Sequence, residues 1–150
     1  MGERALCVLC RVGDDRLALR ASDVYKVVSH TRVSRLPRLP AAIAGITHHR
    51  GRIVTVLDAR PLFFGGPGRS HVDPDKTRLL VIDRSSRHLA LLVDAVDAIE
   101  HVRFGPDLLP GPHPALRLTD HQGQAILAVD ADRLVDAVLE ADTPRVASGA

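Results

Sequence analysis

A short run, GITHHRGRIVTVLDARPLF from Gly45 to Phe63, constrains the fold of this 150-residue chain more than any other part of it. Ile53, Val54, Val56 and Leu57 form an apolar, β-rich run long enough for one buried strand and too short for a helix. Arg50-Gly51 ahead of them is a turn between two strands, with glycine supplying free φ. Asp58 ends the second strand and is placed to accept hydrogen bonds from the free N–H groups of a helical turn through Ala59, Arg60, Pro61 and Leu62, with Pro61 tolerated so near the start. The same pattern returns 72 positions later as GQAILAVDADRLV, where Gly51 matches Gly123, Asp58 matches Asp130 and Leu62 matches Leu134. Two copies at that period are too few and too long for a solenoid, so two related halves, arranged as paired sub-barrels, are expected.

The remaining punctuation agrees with a mostly-β chain. Ala5 to Val12 and Arg16 to Arg20 read as a hairpin around Gly13-Asp14-Asp15. Ser22 or Asp23 is expected to cap a short helical turn through Val24, Tyr25 and Lys26, with a strand resuming from Val27 to Val33. Pro37 and Pro40 forbid regular ladder pairing and set an extended connector, after which Ala41 to Ala44 form one turn. Gly65 to Thr77 is rich in glycine and proline and is expected to be flexible. Leu79 to Ile82 and Leu89 to Val93 flank a polar hairpin loop, and Val96 to Val102 follows. Gly105 to Pro114 is a second loop. Leu116 to Leu118 and Ala125 to Val129 make a last hairpin, and Asp130 caps a helix in which Leu134, Val135 and Val138 recur at helical spacing. Many short strands with one terminal helix point to small barrels rather than alternating α/β. The domain is expected to span residues 5–140, with 141–150 a disordered tail.

Charge is more informative in its distribution than in its total. From Val24 to Val72 eight Lys and Arg face one acid, giving +7, and from Asp94 to Asp142 ten acids face three arginines, giving −7. Such a bipolar surface suits charged protein partners or head-to-tail self-association. The basic stretch from Lys26 to Arg69 also admits a small-barrel nucleic-acid-binding module. Against that stands the scarcity of stacking platforms, since Tyr25, Phe63, Phe64 and Phe104 are the only aromatic residues. The apolar run Ala5 to Leu9 is cut by Cys10 and Arg11 before a signal peptide or membrane span of about 20 residues could form, so a cytoplasmic protein without membrane insertion is expected. Cys7 and Cys10 fall on a strand, where residues three apart face opposite ways and lie about 10 Å from each other, too far for a disulfide.

Catalytic and metal chemistry is poorly represented. His48-His49 invites a metal reading, yet adjacent rings on a strand point to opposite faces and cannot share one ion without a bulge. The other histidines, His30, His71, His88, His101, His113 and His121, show no ligand spacing. Gly65-Gly66-Pro67-Gly68 lacks the Lys-Ser/Thr ending of a phosphate loop, no nucleophile elbow is present, and Ser85-Ser86 have no evident base. The carboxylates read as helix caps or solvated groups. Arg50 on its turn remains, either a solvated turn residue or an interface anchor able to bind a carboxylate in bidentate fashion.

The order of these parts resembles the CheW family of chemotaxis adaptor proteins. Gly45, Ile46, Arg50, Gly51, Ile53 to Leu57, Asp58 and Arg60 follow the family's run of glycine, apolar residues, Asn-Leu-Arg-Gly, apolar strand and Asp-Leu-Arg. The Val12-Gly13-Asp14 hairpin, the Val24 to Val27 segment, the Thr31 to Pro40 connector, the Leu91-Val93-Asp94-x-Val96 strand pair and the Ile126 to Leu134 strand and helix keep its order. The resemblance implies two SH3-like five-stranded β-barrel subdomains with short helical turns and a C-terminal helix, no cofactor, and a non-catalytic scaffold. Its implied partners are the cytoplasmic tip of a methyl-accepting receptor and the regulatory domain of a chemotaxis histidine kinase. Arg50, Gly45 and Val24 occupy positions important for that coupling. The chain departs from the pattern where His48-His49 replaces Asn-Leu and where Lys26 replaces a common glutamate, which points to a diverged adaptor of an alternative chemosensory pathway.

Overall fold

Alternation in the first strand divides the core before any tertiary contact is considered. In the computed structural model, which describes residues 3–29, 32–69, 72–84, 87–104 and 109–142, β1 (Glu3–Val12) is buried on both faces. Val8, Cys10 and Val12 point into one apolar cluster while Cys7 and Leu9 point into another. The two thiols are therefore free and back to back. β2 (Asp15–Arg20) completes the expected hairpin over a turn in which Gly13 has φ 59°.

The next segment departs from expectation. The helical turn is a 3₁₀ turn at Ala21–Asp23, and β3 (Val24–Ser29) begins where that turn was expected to run. Val24 to Lys26 are taken into a ladder with the strand Arg78–Arg84, and pairing there outweighs the capping tendency of Ser22 and Asp23. The expected strand from Val27 to Val33 is displaced accordingly, and Ser34 instead forms an isolated bridge to Ile46. β4 (Ile43–His49) starts two residues before Gly45, so Ile43 and Ala44, expected in a turn, join the strand through the pairing of Ile43 with Leu57. The Arg50-Gly51 turn, β5 (Arg52–Asp58) and α1 (Ala59–Phe64) follow as read from the sequence. Then come β6 (Arg78–Arg84), β7 (Arg87–Val93), β8 (Ala95–Phe104), the two-residue β9 (Leu109–Pro110), β10 (Leu116–His121), β11 (Gln124–Val129) and α2 (Ala131–Asp142). Expectations placed on His30, His71, Ser85, Ser86, Gly105, the side chain of Val138 and residues 143–150 lie outside the described residues.

Two sheets result, one of order β8-β1-β2-β11-β10-β9 and one of order β3-β6-β7-β5-β4. All pairings are antiparallel except β11 with β2 and β5 with β7. The 72-residue relation extends through this topology. Val24 pairs with Ile82, and Val96 with Cys10; Lys26 pairs with Val81, and Ala98 with Leu9. Thr55 pairs in parallel with Leu89, and Leu127 with Leu17. Each pair is the other displaced by 72 positions, and both ladders carry the same bulge, at Tyr25 and at Asp97. The expected picture of two halves as two sub-barrels needs one correction. Each sheet takes a hairpin from one half and three longer strands from the other, so the repeat units are interleaved rather than side by side.

The core follows the same plan. One small cluster, with Val54, Val56, Leu79, Val81, Ala90 and Leu92, fills the second sheet. Its counterpart, with Cys7, Leu9, Ala18, Val102, Phe104 and Ile126, fills the first. The largest cluster lies between the sheets and joins Val8, Leu17, Leu19, Leu80, Ile82, Leu91, Phe63, Leu134 and Val135, so α1 and α2 both bury their apolar faces there.

Candidate functional site

Arg50 and Gly51 both have positive φ, 52° and 74°, the signature of the type I′ turn whose twist matches that of the flanking strands. That turn presents the Arg50 guanidinium at the rim of the second sheet. Its Nη1 donates to the Tyr25 hydroxyl at 2.7 Å, and its Cζ lies 5.6 Å from the centre of the Tyr25 ring. Tyr25 also meets the His49 ring edge-on, centroids 6.4 Å apart at 78°. β3 and β4 are opposite edges of the sheet, so these contacts, with the Ser34–Ile46 bridge, roll it into a barrel.

Around Tyr25 and Arg50 lies a cavity of about 340 Å³, lined by His49, Arg52, Val54, Val81, Ile82 and His88 as well. Arg52 Nη1 is 3.1 Å from His88 Nε2. A guanidinium only donates, so this Nε2 accepts and the ring's proton sits on Nδ1. His49 Nε2 is buried without a hydrogen-bond partner. Among the described residues, no carboxylate lines the cavity.

The other residues singled out in the sequence are distributed unevenly. Lys26 is exposed on β3, and Val24, half-buried one residue before Tyr25, packs against the central cluster. His48 is exposed and His49 half-buried on opposite faces, as their adjacency on a strand requires. Gly45 stands apart, buried, with φ 151° and the Ser34 backbone directly over it. A side chain there would meet the Ser34 carbonyl oxygen at 2.2 Å, so glycine is what lets the connector bridge to β4. Among the described residues no group of three or more metal-ligating side chains gathers.

The basic segment is less available than its sequence suggests. Arg69, in the connection expected to be flexible, turns inward between two acids, its Nε 3.3 Å from Asp58 and its Nη2 2.6 Å from Asp94. Asp58 is fully buried and also accepts from Arg60 N–H, as a helix cap. Asp94 accepts from Gly13 N–H at 2.6 Å. Burial alone would raise its pKa, but the Arg69 and Gly13 hydrogen bonds, with the charges of Arg69 and Arg60, hold it below the usual carboxylate value. The expectation that Asp58 is a helix cap holds, while the reading of the remaining carboxylates as caps or solvated groups fails at Asp94, and the two acids tie both halves together through one arginine. Arg35 is likewise bonded to the Arg69 carbonyl. Sequence reasoning missed Tyr25, Arg52 and His88, although Tyr25 is the only tyrosine in the chain.

Against known proteins, the family model described as CheW-like domain matches residues 6–139. The chain is 35% identical over 102 residues to Protein FrzA of Myxococcus xanthus, a match covering 68% of this chain and 61% of that protein. It is 26% identical over 130 residues to the Probable chemotaxis protein CheW of Rhizobium etli, covering 86% and 80% of the two chains. The crystal structure of the scaffolding protein TtCheW from Thermoanaerobacter tengcongensis shares the fold, with a TM-score of 0.69 at 21% identity over 85% of this chain and 89% of that one. These matches favour the coupling reading and give no support to the nucleic-acid alternative.

Proposed function

The chain belongs to the CheW-like domain family, and on that premise we propose that it is a non-catalytic coupling protein of a chemosensory pathway. It joins the cytoplasmic tip of a methyl-accepting receptor to the regulatory domain of a histidine kinase. The observation that carries the reading is the Arg50 turn, a cation fixed at the rim of a barrel by backbone geometry and by Tyr25, with no acid among the described residues that line the cavity beside it. Arg50, Lys26, His48 and His49 contact the partner, while Val24, Gly45 and Gly51 hold the strands and turn that present them. Exposed Val27 and Ile99, which are related by the 72-residue shift, place one apolar side chain on each barrel where a similar barrel could dock. Lys26 and His48-His49 retune the contact toward a partner different from the family's usual one. A cytoplasmic location belongs to the same proposal. No helix among the described residues is long and apolar enough to cross a membrane.

Co-sedimentation with receptor and kinase fragments tests the proposal, and no ternary complex with any chemosensory kinase of the same genome would defeat it. Arg50→Ala should weaken that complex about tenfold or more, as truncation of a charged anchor does, while leaving the unfolding midpoint within error. Unchanged coupling would remove Arg50 from the site.

A further inference from the structure

The internal repeat supplies a control for the Arg50 cavity, because the same scaffold occurs twice with different side chains. At positions related by 72 residues, Tyr25 corresponds to Asp97, Arg50 to Gln122, Arg52 to Gln124 and His88 to Arg16. The fold tolerates both sets, so the cationic and aromatic choices in the second sheet are not required by the backbone. His49 corresponds to His121, and here the two copies differ in what the ring meets. His121 Nε2 lies 3.0 Å from a carboxylate oxygen of Glu100 on β8. Glu100 corresponds to Val28 on β3, which offers no acceptor, and His49 Nε2 is left buried and unpartnered. The ring in one copy thus meets a carboxylate and the ring in the other does not, beside two arginines in an open cavity whose lining, among the described residues, includes no acid.

We propose that this cavity receives a glutamate or aspartate side chain from an acidic segment of the partner protein, which takes the place that Glu100 fills in the other half. The incoming carboxylate engages the Arg50 and Arg52 guanidiniums by charge-assisted hydrogen bonds and shares the histidine-lined wall. The flanking residues of the segment pack on the exposed Tyr25 ring at the rim of the cavity. The exposed Arg50–Tyr25 hydrogen bond gives way as the ligand enters, trading a neutral acceptor for a charged one. The inference rests on the coupling role proposed above and specifies the chemistry of the partner at that site.

The probe is the peptide Ac-Leu-Glu-Leu-NH2, titrated into the full isotope-labelled chain by NMR, with Ac-Leu-Gln-Leu-NH2 and inorganic phosphate as separate arms. Expected are saturable shifts confined to Tyr25, His49, Arg50, Arg52 and His88, at least fivefold weaker with the glutamine peptide and with phosphate. Arg52→Gln and Arg50→Gln, which install the residues the other half already carries, should abolish those shifts with the spectrum otherwise intact. Val28→Glu should give His49 an internal carboxylate and block the peptide. Equal response to both peptides, a phosphate response matching that of the glutamate peptide, or the same shifts on raising protein concentration alone would overturn the proposal, the last by assigning the site to a second copy. Co-sedimentation separates it from the coupling role. Receptor–kinase assembly that survives both Gln variants overturns the acidic-anchor proposal and leaves the coupling role standing, whereas peptide binding without any assembly defeats the coupling role alone.

Discussion

Gly45 within β4 and Gly51 in the turn that follows it have different reasons to be glycine. Gly51 has φ 74° with open space where a methyl group would stand, so Gly51→Ala carries only the left-handed backbone penalty, about 1 kcal/mol. Gly45→Ala adds a collision with the Ser34 backbone and is expected to cost about 2 kcal/mol or more. Urea unfolding of the two variants measures the difference, and equal costs would show that the Ser34 contact yields freely. Cys10 illustrates burial in place of redox chemistry. Desolvation, with a smaller contribution from Asp97, pushes its thiol up to about 12. A thiol reagent at a pH of about 7.5 should therefore leave Cys10 unmodified in the native protein and label it on unfolding, because the thiolate is the nucleophile. Native-state labelling of Cys10 would contradict that burial.

Strand-to-helix junctions carry the most information per residue in this chain, and they behave alike only in part. Asp130 caps α2 by accepting from the N–H groups of Asp132 and Arg133 at an exposed site. Asp58 caps α1 while buried against Arg69, and that arginine continues to Asp94 at the β7–β8 crossover. Since Asp94 has its pKa lowered in the folded state, it stabilises the fold at and above the ordinary value of 3.8, and that contribution is lost as pH falls through the lower folded value. Asp94→Asn is expected to cost about 1 kcal/mol at pH 7, modest because the carboxylate is partly exposed. The deficit relative to the unaltered chain should vanish in acid, below the folded pKa. Urea midpoints from pH 7 down to pH 2 measure it, and a deficit that stays constant across that range would exclude the ion pair as its source.

Interleaving makes the whole molecule one cooperative unit even though its sequence repeats. β3 leaves the first hairpin to pair with β6, and β8 leaves the second hairpin to pair with β1, so neither half can complete a sheet. Fragments 1–72 and 73–150 should each lack dispersed NMR spectra when expressed alone and recover them when mixed. A fragment that folds by itself would show that the crossing strands are dispensable. What the amino-acid sequence determined without help was local: the hairpins, the Arg50-Gly51 turn, the Asp58 and Asp130 helix starts and the opposite facing of Cys7 and Cys10. Those features follow from side-chain alternation, turn chemistry and capping, which act over a few residues. The start of β3 escapes such reasoning because Ser22 and Asp23 give a strong local capping signal, and only the ladder to β6, more than 50 residues away, overrides it. Of the cavity residues, His49, Arg50 and Arg52 share one hairpin, but His88 is brought beside them by the pairing of β7 with β5 and Tyr25 by closure of the sheet's two edges. The same holds for Arg69, whose place between Asp58 and Asp94 depends on where a glycine-rich connector ends. Tertiary structure decided these points because a contact between distant residues depends on the register and crossing of whole strands, which no short window of sequence encodes.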